Sequence, residues 1–372
     1  MMYLDHNAST PCDERVLDEM RTYQTHVFAN SGSIHRFGRQ AAQVLGAARE
    51  RCAVALGRET DEVVFTSGAT EGIQLCLEWL PTDIVHGVKF FASPFEHRAV
   101  QNSLNRLVHR GIDVGLLPSQ SGVLDLAQLT EPGIYIIQAA NSETGLIQPI
   151  QQLADHIHEI GGVLICDAAQ ALWKLEVDRY GQGPDAVILS AHKAYGPKGV
   201  GALVLSREFM SILKQGRLGP AQDQGVREGT VNVAGAVGMA ATLEFAAAEG
   251  DAWRTGSNEA RESFERRLSQ RADCEIHFKS QERLPNTASV RFQGVEGDLL
   301  ALHSEVAVSF GTACSSGAPG PSSTLLAVGL GRTQAMETIR VSFGREHSWK
   351  DGVSAAESLL ATTKLLVAER GQ

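Results

Sequence analysis

The stretch Ser190-Ala191-His192-Lys193 follows the apolar run Ala186-Val187-Ile188-Leu189 and leads into Tyr195-Gly196-Pro197. A lysine there, in a Gly/Pro-rich turn with a hydroxyl three residues before it, suits Schiff-base chemistry. Desolvation at the end of a buried strand disfavours the ammonium and leaves a nucleophilic amine. On residue type alone a loop lysine reads as a surface group, so the weight falls on what else the chain carries. Asp167 ends the run Val163-Leu164-Ile165-Cys166. A carboxylate in that place can keep a pyridinium nitrogen protonated and turn a pyridine ring into an electron sink; the plain alternative is a turn aspartate. Gln170 could donate to a ring phenolate oxygen, and His192 to a phosphate. Thr66-Ser67-Gly68-Ala69-Thr70-Glu71-Gly72 lies between the strand-like Val63-Val64-Phe65 and a helical pattern. Its backbone amides and hydroxyls form a phosphate site or an ordinary helix cap. His97, in Pro94-Phe95-Glu96-His97-Arg98, can stack on a planar ring and relay protons, or can be a surface histidine.

Two further residues bear on substrate. Cys314 sits in Thr312-Ala313-Cys314-Ser315-Ser316-Gly317-Ala318-Pro319, a small, polar, breaker-rich stretch that predicts a mobile loop and hence a reactive thiol. Arg340 interrupts the β-rich run Thr338-Ile339-Arg340-Val341-Ser342 and needs a carboxylate partner, structural or a substrate's own. The other cysteines (Cys12, Cys52, Cys76, Cys166, Cys274) form no CxxC pair. Neither a zinc site nor a disulfide framework is expected, and Cys52, Cys76 and Cys166 read as packing residues.

The elements that must position these groups alternate. Strands are predicted at 62–66, 88–92, 112–117, 134–138, 163–167, 186–190 and 201–205, with helices at 40–56, 70–80, 97–110 and 150–160 between them. This order predicts an α/β large domain, a mostly parallel sheet between helices. An alanine-rich helix over 233–249 is expected to bridge to a smaller α+β unit. That unit has a charged helix at about 251–270, strands near 275–278, 287–292, 306–310 and 338–343, and helices at 297–303, 323–329 and 350–368. The predicted division is a large domain over 12–250 and a small domain made of 1–11 with 251–372.

The chain has 372 residues, 43% hydrophobic and 20% charged, with net charge −10. This length exceeds the ~250–300 residues at which single cores stop growing, and the composition is that of a globular enzyme. The acidity opposes direct binding to nucleic acid or anionic membrane. No run approaches the ~18 apolar residues of a membrane span, and no signal pattern opens the chain. The expected location is cytoplasmic.

Taken in order, the motifs from Tyr3-Leu4-Asp5-His6-Asn7-Ala8-Ser9-Thr10-Pro11 to Arg340-Val341-Ser342-Phe343-Gly344-Arg345 resemble those of the pyridoxal-phosphate-dependent cysteine desulfurases, a class V aminotransferase-like family. The resemblance implies the fold-type I architecture, a homodimer, pyridoxal 5'-phosphate as cofactor, and conversion of L-cysteine to L-alanine with a persulfide formed on Cys314. It implies Lys193 as the Schiff-base lysine and His97 stacked over the ring, with Asp167 and Gln170 on the pyridine nitrogen and phenolate oxygen. Ala69, Thr70, Ser190 and His192 would hold the phosphate, joined by Thr230 across the dimer interface. Arg340 and Asn30 would bind the substrate carboxylate. The family usually has an asparagine where this chain has Ser142, so either Asn141 or Ser142 supplies that ring contact. The residues from Cys314 to Arg340 match the branch whose cysteine rides a long loop and hands sulfur to a partner protein. The short stretch after residue 345 leaves little room for the tail with which housekeeping members dock an iron–sulfur scaffold. Iron–sulfur assembly, tRNA thiolation and DNA phosphorothioation are the pathways to weigh. A selenocysteine lyase, another enzyme of the same fold, and a catalytically silent binding subunit are the rivals, separable by comparative kinetics, an amino-acceptor screen and the yellow colour of bound cofactor.

Overall fold

The computed structural model describes residues 1–120, 122–216, 222–311 and 320–370; Cys314 lies outside them. The chain opens with a short strand, β1 (Met2–Tyr3), and two helices, α1 (Glu14–Thr25) and α2 (Arg36–Leu56). Then come β2 (Val63–Thr66), α3 (Ala69–Glu78), α4 (Thr82–Gly87), β3 (Phe90–Ala92), α5 (Arg98–His109) and β4 (Val114–Leu116). A hairpin of β5 (Ser119–Gln120) and β6 (Val123–Leu124) leads to β7 (Ile134–Gln138), α6 (Ile150–Glu159) and β8 (Val163–Asp167). The run closes with β9 (Ala186–Ser190), β10 (Gly201–Leu205) and α7 (Arg207–Gln215).

Seven of these strands form one sheet in the order β2-β10-β9-β8-β7-β3-β4. Only β10 runs antiparallel to its neighbours; the other pairs are parallel. Successive side chains alternate between faces. Ile134 and Ile136 of β7 join one apolar core, while Tyr135 and Ile137 join the other. Burial on both faces is why these strands read as unbroken apolar runs rather than as alternating ones.

The two helices expected at 233–249 and about 251–270 are one. A single helix, α8 (Val233–Leu268), runs 36 residues through residue 250, merging the alanine-rich and charged helices predicted separately. Gly250 and Gly256 lie inside it; each costs only about 1 kcal/mol in a helix interior, where a proline would cost about 3. Tertiary packing offsets that cost: Trp253 joins a core of the central sheet, and Ala260, Phe264 and Leu268 join a separate core.

That separate core is built on the antiparallel strands β11 (Cys274–Ile276), β12 (Thr287–Phe292) and, after α9 (Gly297–His303), β13 (Val306–Ala307), α10 (Ser323–Ala327) and α11 (Arg332–Met336), β14 (Thr338–Ser342). The helix α12 (Trp349–Arg370) closes the chain against α8. β1 pairs in parallel with β13, and Asp5 bridges to Ser342. Leu4 thereby packs with Phe264, Phe292, Phe343 and Leu359, so the N-terminal residues adjoin the C-terminal unit.

Candidate active site

The carboxyl ends of β7, β8 and β9 open into a cavity of about 420 Å³, the position at which open parallel sheets take ligands. Strand register brings the relevant groups there together. Gln138 is paired with Asp167, and Asp167 with Ile188, two residues before Ser190; Gln138, Asp167 and Ser190 all line the cavity. So do Lys193, His97, Gln170, the start of α3, Arg340 and the N-terminal Asn7, Ala8 and Ser9.

One end is suited to a phosphate. Helix α3 begins after Gly68, whose φ of 150° and ψ of −177° belong to glycine, and no side chain caps the helix. Its first-turn amides, at Ala69, Thr70 and Glu71, lie at the cavity wall on the positive end of the helix dipole. Two glycines permit this. A Cβ on Gly72 would stand 2.9 Å from the Ile188 methyl of β9, and one on Gly201 would stand 2.9 Å from the Gly68 Cα. Without those side chains α3 comes close enough to β9 for Thr70 and Ser190 to share one wall. His192 is on the same wall; burial, and then Lys193, Lys198 and Lys174, push its imidazole down to about 4. It is therefore neutral at pH 7 and can give one N–H, while Nδ1 lies 3.2 Å from Ser9 Oγ.

The lysine end is held by the N-terminal segment. The His192 carbonyl accepts from Thr10 N at 2.8 Å and from Thr10 Oγ1 at 2.9 Å. Tyr195 N donates to Thr10 Oγ1 at 2.7 Å, and Trp173 Nε1 donates to the Lys193 carbonyl at 3.2 Å. Tyr195 adopts a left-handed φ of 61°, a strain of order 1–3 kcal/mol for a bulky residue, which only surrounding structure can sustain. Here Tyr195 Oη accepts from Arg345 N at 2.6 Å, and the Arg345 guanidinium lies 4.2 Å over the Tyr195 ring while pairing with Asp13. The turn that carries Lys193 is thus clamped from the C-terminal unit.

Asp167 is buried, and its Oδ1 accepts from Ala169 N at 3.0 Å. His97 caps α5, its Nδ1 accepting from Ala99 N at 3.2 Å; that leaves the proton on Nε2 when the ring is neutral. Burial and the Lys193 charge push its pKa down, favouring that neutral form. Arg340 reaches the cavity edge with Nη1 donating to the Ser142 carbonyl at 3.1 Å and Nη2 on Asp5, so its partner here is structural. Its buried Nε has no hydrogen-bond partner among the described residues.

Not every expected residue reaches the cavity. Of the two candidates for the extra ring contact, Ser142 lines it and Asn141 does not. The Asn141 Oδ1 accepts from Glu143 N and Thr144 N, both at 2.9 Å, and its Nδ2 donates to the Phe95 carbonyl: the asparagine is used up in making its own turn. Asn30 and Thr230 lie outside, on the exposed surface, where Asn30 Nδ2 donates to Thr230 Oγ1 at 3.4 Å. Cys314 falls outside the described residues. Cys52, Cys76 and Cys166 are fully buried, with their thiols pushed up by burial.

Sequence reasoning passed over Asn7, Glu96, Gln138, Lys174 and Lys198. Asn7, Gln138 and Lys198 line the cavity, Glu96 is a buried carboxyl beside His97, and Lys174 is fully buried behind Gln170. A signal existed for Lys174, a lysine inside the apolar Ala171-Leu172-Trp173-Lys174-Leu175. Asn7 gave none, because its neighbours come from residues 142–342.

The residues present fit pyridoxal phosphate: an uncapped helix start with hydroxyls at one end, a lysine on a rigid turn, and a buried carboxylate at a strand end. A family model described as aminotransferase class-V matches residues 2–353. The cysteine desulfurase IscS of Anaeromyxobacter dehalogenans (strain 2CP-C) is 36% identical over 354 residues, covering 92% of this chain and 88% of that protein. A cysteine desulfurase of Frankia sp. (strain EuIK1) is 34% identical, covering 100% of this chain and 93% of its own. Among solved structures, a NifS-like protein superposes with TM-score 0.86 at 28% identity, covering 98% of this chain and 99% of that one. SspA in complex with cysteine gives 0.78 at 28% identity, with coverages of 93% and 100%. DndA from Streptomyces lividans gives 0.75 at 29%, with coverages of 91% and 98%. The sheet order, the cavity at its carboxyl edge and these likenesses agree on a fold-type I, pyridoxal-phosphate-dependent architecture, and the chain belongs to the class V aminotransferase family, among its cysteine desulfurases.

Proposed function

We propose that the protein converts L-cysteine to L-alanine and places the released sulfur on Cys314 as a persulfide for a sulfur-acceptor protein. The observation that carries this reading is the convergence of Lys193, Asp167 and His97 on one cavity with Arg340 at its edge. Ala69, Thr70, Ser190 and His192 would hold the cofactor phosphate, Asp167 the ring nitrogen and Gln170 the phenolate oxygen, with His97 over the ring. Bound pyridoxal phosphate supplies a protonated ring that takes up electron density from the substrate Cα.

The chain's own groups do the rest. Arg340, at the cavity edge, holds the substrate carboxylate in a charge-assisted contact. Lys193 Nζ takes and moves the Cα proton, on a turn kept in place by Thr10, Trp173 and the Arg345 clamp. The neutral His97, with its proton on Nε2, serves as a second proton carrier. The Cys314 thiolate attacks the substrate sulfur: a new S–S bond forms, the substrate C–S bond breaks, and its electron pair with a proton completes the alanine methyl group. No external oxidant is required, because the sulfur moves to Cys314 at the sulfane level while the substrate carbon is reduced.

A homodimer completes the site in this reading. Phe28, Ile34 and Phe37 are exposed beside Asn30, and an apolar surface there with Thr230 adjoining supports a second copy lending Thr230 to the cofactor phosphate. Among the described residues no helix is long and apolar enough to cross a membrane; we place the enzyme in the cytoplasm. The net charge of −10 favours a protein acceptor over nucleic acid. Iron–sulfur assembly, tRNA thiolation and DNA phosphorothioation all draw on sulfur so delivered, and persulfide transfer to candidate acceptor proteins separates them. The first test mixes the holoenzyme with L-cysteine: alanine and one protein-bound persulfide per chain are expected. Cys314→Ala should retain the yellow cofactor and lose both products, and turnover at the wild-type rate in that variant would falsify the assignment. Lys193→Ala should lose the internal cofactor absorbance.

A further inference from the structure

Behind the cavity wall lies a buried amine to which the mechanism gives no part. Lys174 is 1% exposed and follows Gln170 by four residues. Its Nζ donates to Gln170 Oε1 at 2.5 Å and to Asn7 Oδ1 at 3.0 Å. Both acceptors are neutral amide oxygens. If Lys174 served only for packing, an apolar chain of the same length would spare the cost of desolvating the amine. Burial, and then the charges of Lys193 and Arg340, press its pKa well below that of an ordinary lysine, so the site keeps a strained group for its N–H bonds.

Those bonds have a directional consequence. A side-chain amide can turn either end toward the cavity, and only its partners decide which. Gln170 Nε2 donates to the Asn7 backbone carbonyl at 2.8 Å, while Lys174, which in either protonation state has two N–H groups to give, faces the Oε1 end. Oε1 is thus the end turned to Lys174, which does not line the cavity, and Nε2 the end turned to Asn7, which does. Asn7 is fixed in the same way. Its Nδ2 donates to the Ser142 carbonyl at 3.1 Å and to Thr287 Oγ1 at 2.8 Å, and its Oδ1 accepts from Lys174 and from Asn286. One amine thus meets the oxygen ends of two amides, one in the wall and one on the N-terminal segment.

We infer that Lys174 is a positioning residue of the cofactor cavity: it fixes which end of the Gln170 amide faces the cavity, so that an N–H and not a carbonyl meets the anionic oxygen of the bound ring. The inference rests on the reading of Gln170 as the contact to that oxygen. A flipped amide would set carbonyl against phenolate and turn an attraction into a repulsion.

The test measures the dissociation constant of pyridoxal phosphate and the visible absorbance of the holoenzyme, with circular dichroism as the check on folding. Lys174→Met should raise the dissociation constant about tenfold, the effect of one hydrogen bond to a charged acceptor, or about 1.4 kcal/mol, and should shift the visible band. Gln170→Leu should do the same, and the double variant should be no worse than Gln170→Leu alone, because the lysine acts only through the glutamine. Additive losses, or a wild-type dissociation constant in Lys174→Met, overturn the inference. If that variant does not fold, Lys174→Gln decides. Its amide can present either end to Gln170, so loosened cofactor is expected and wild-type affinity overturns the inference. A Lys193→Ala variant that kept the visible band would instead refute the site reading itself, which keeps the two failures distinct.

Discussion

Glu96, between Ser93 and His97, is fully buried. Its Oε1 accepts from Ser93 Oγ at 2.6 Å and Gln138 N at 3.2 Å, and its Oε2 has no partner among the described residues. Burial pushes this carboxyl up to about 8, the two hydrogen bonds opposing the rise and Asp167 adding to it. At pH 7 the folded protein therefore keeps a proton that the unfolded chain, with its carboxyl near 4.5, has given up. The folded state binds the extra proton over that whole window, so stability falls as pH rises, by at most about 1.4 kcal/mol per pH unit for one proton. The contribution is complete below pH 4.5 and lost as pH rises through about 8. Between pH 5.5 and 7.5 the loss amounts to about 2–3 kcal/mol. Glu96→Gln copies the protonated acid: its Oε1 can accept both existing bonds, and no ionisation remains. Urea unfolding of both proteins at several pH values across that range should show the wild-type free energy sloping downward against the variant by this amount, with the gap closing toward acid pH. Parallel curves would mean that Glu96 is already ionised in the folded state and would refute the reasoning.

Other consequences follow from the same geometry. Gly72→Ala places a methyl 2.9 Å from a buried Ile188 methyl; a loss of about 1–3 kcal/mol in urea unfolding is expected from overpacking, with weakened cofactor affinity because α3 is pushed off β9. An unchanged urea midpoint would show that the helix and strand do not meet as described. Arg340→Lys keeps a charge but loses the planar fork. KM for L-cysteine should rise about tenfold or more, the value of a lost charge-assisted bond, while kcat changes much less; a fall in kcat alone would place Arg340 elsewhere in the reaction. If the proposed dimer forms, Thr230→Val should weaken cofactor retention without altering the visible band of protein that still holds cofactor, and equal retention at all protein concentrations would remove Thr230 from the site.

The seven-stranded sheet was readable along the chain, because strands buried on both faces are runs of apolar, β-branched residues: β7, β8, β9 and β10 fall where the sequence placed them. The place of Lys193, Asp167 and the Ser67-Gly68 turn at the cavity was readable for a related reason, since each stands at the end of such a run, where the chain must turn. The helix α8 was misjudged at residue 250. A change from alanine-rich to charged sequence suggested two helices, but two cores, one on each half, hold a single helix through it. The choice between Asn141 and Ser142 was undecidable from residue type, because the asparagine's hydrogen bonds are set by a turn that only the folded backbone closes. Least legible were Asn7, its contact with Lys174 and the pairing of Arg340 with Asp5. These contacts join residues 160 or more positions apart, and no local pattern records which polar groups will be buried against one another. Local sequence determined which residues could do chemistry, through the period of burial and the turns that interrupt it. Tertiary structure decided which of them face one cavity and which way their amides point, because burial forces each distant polar group to find a partner of matching polarity.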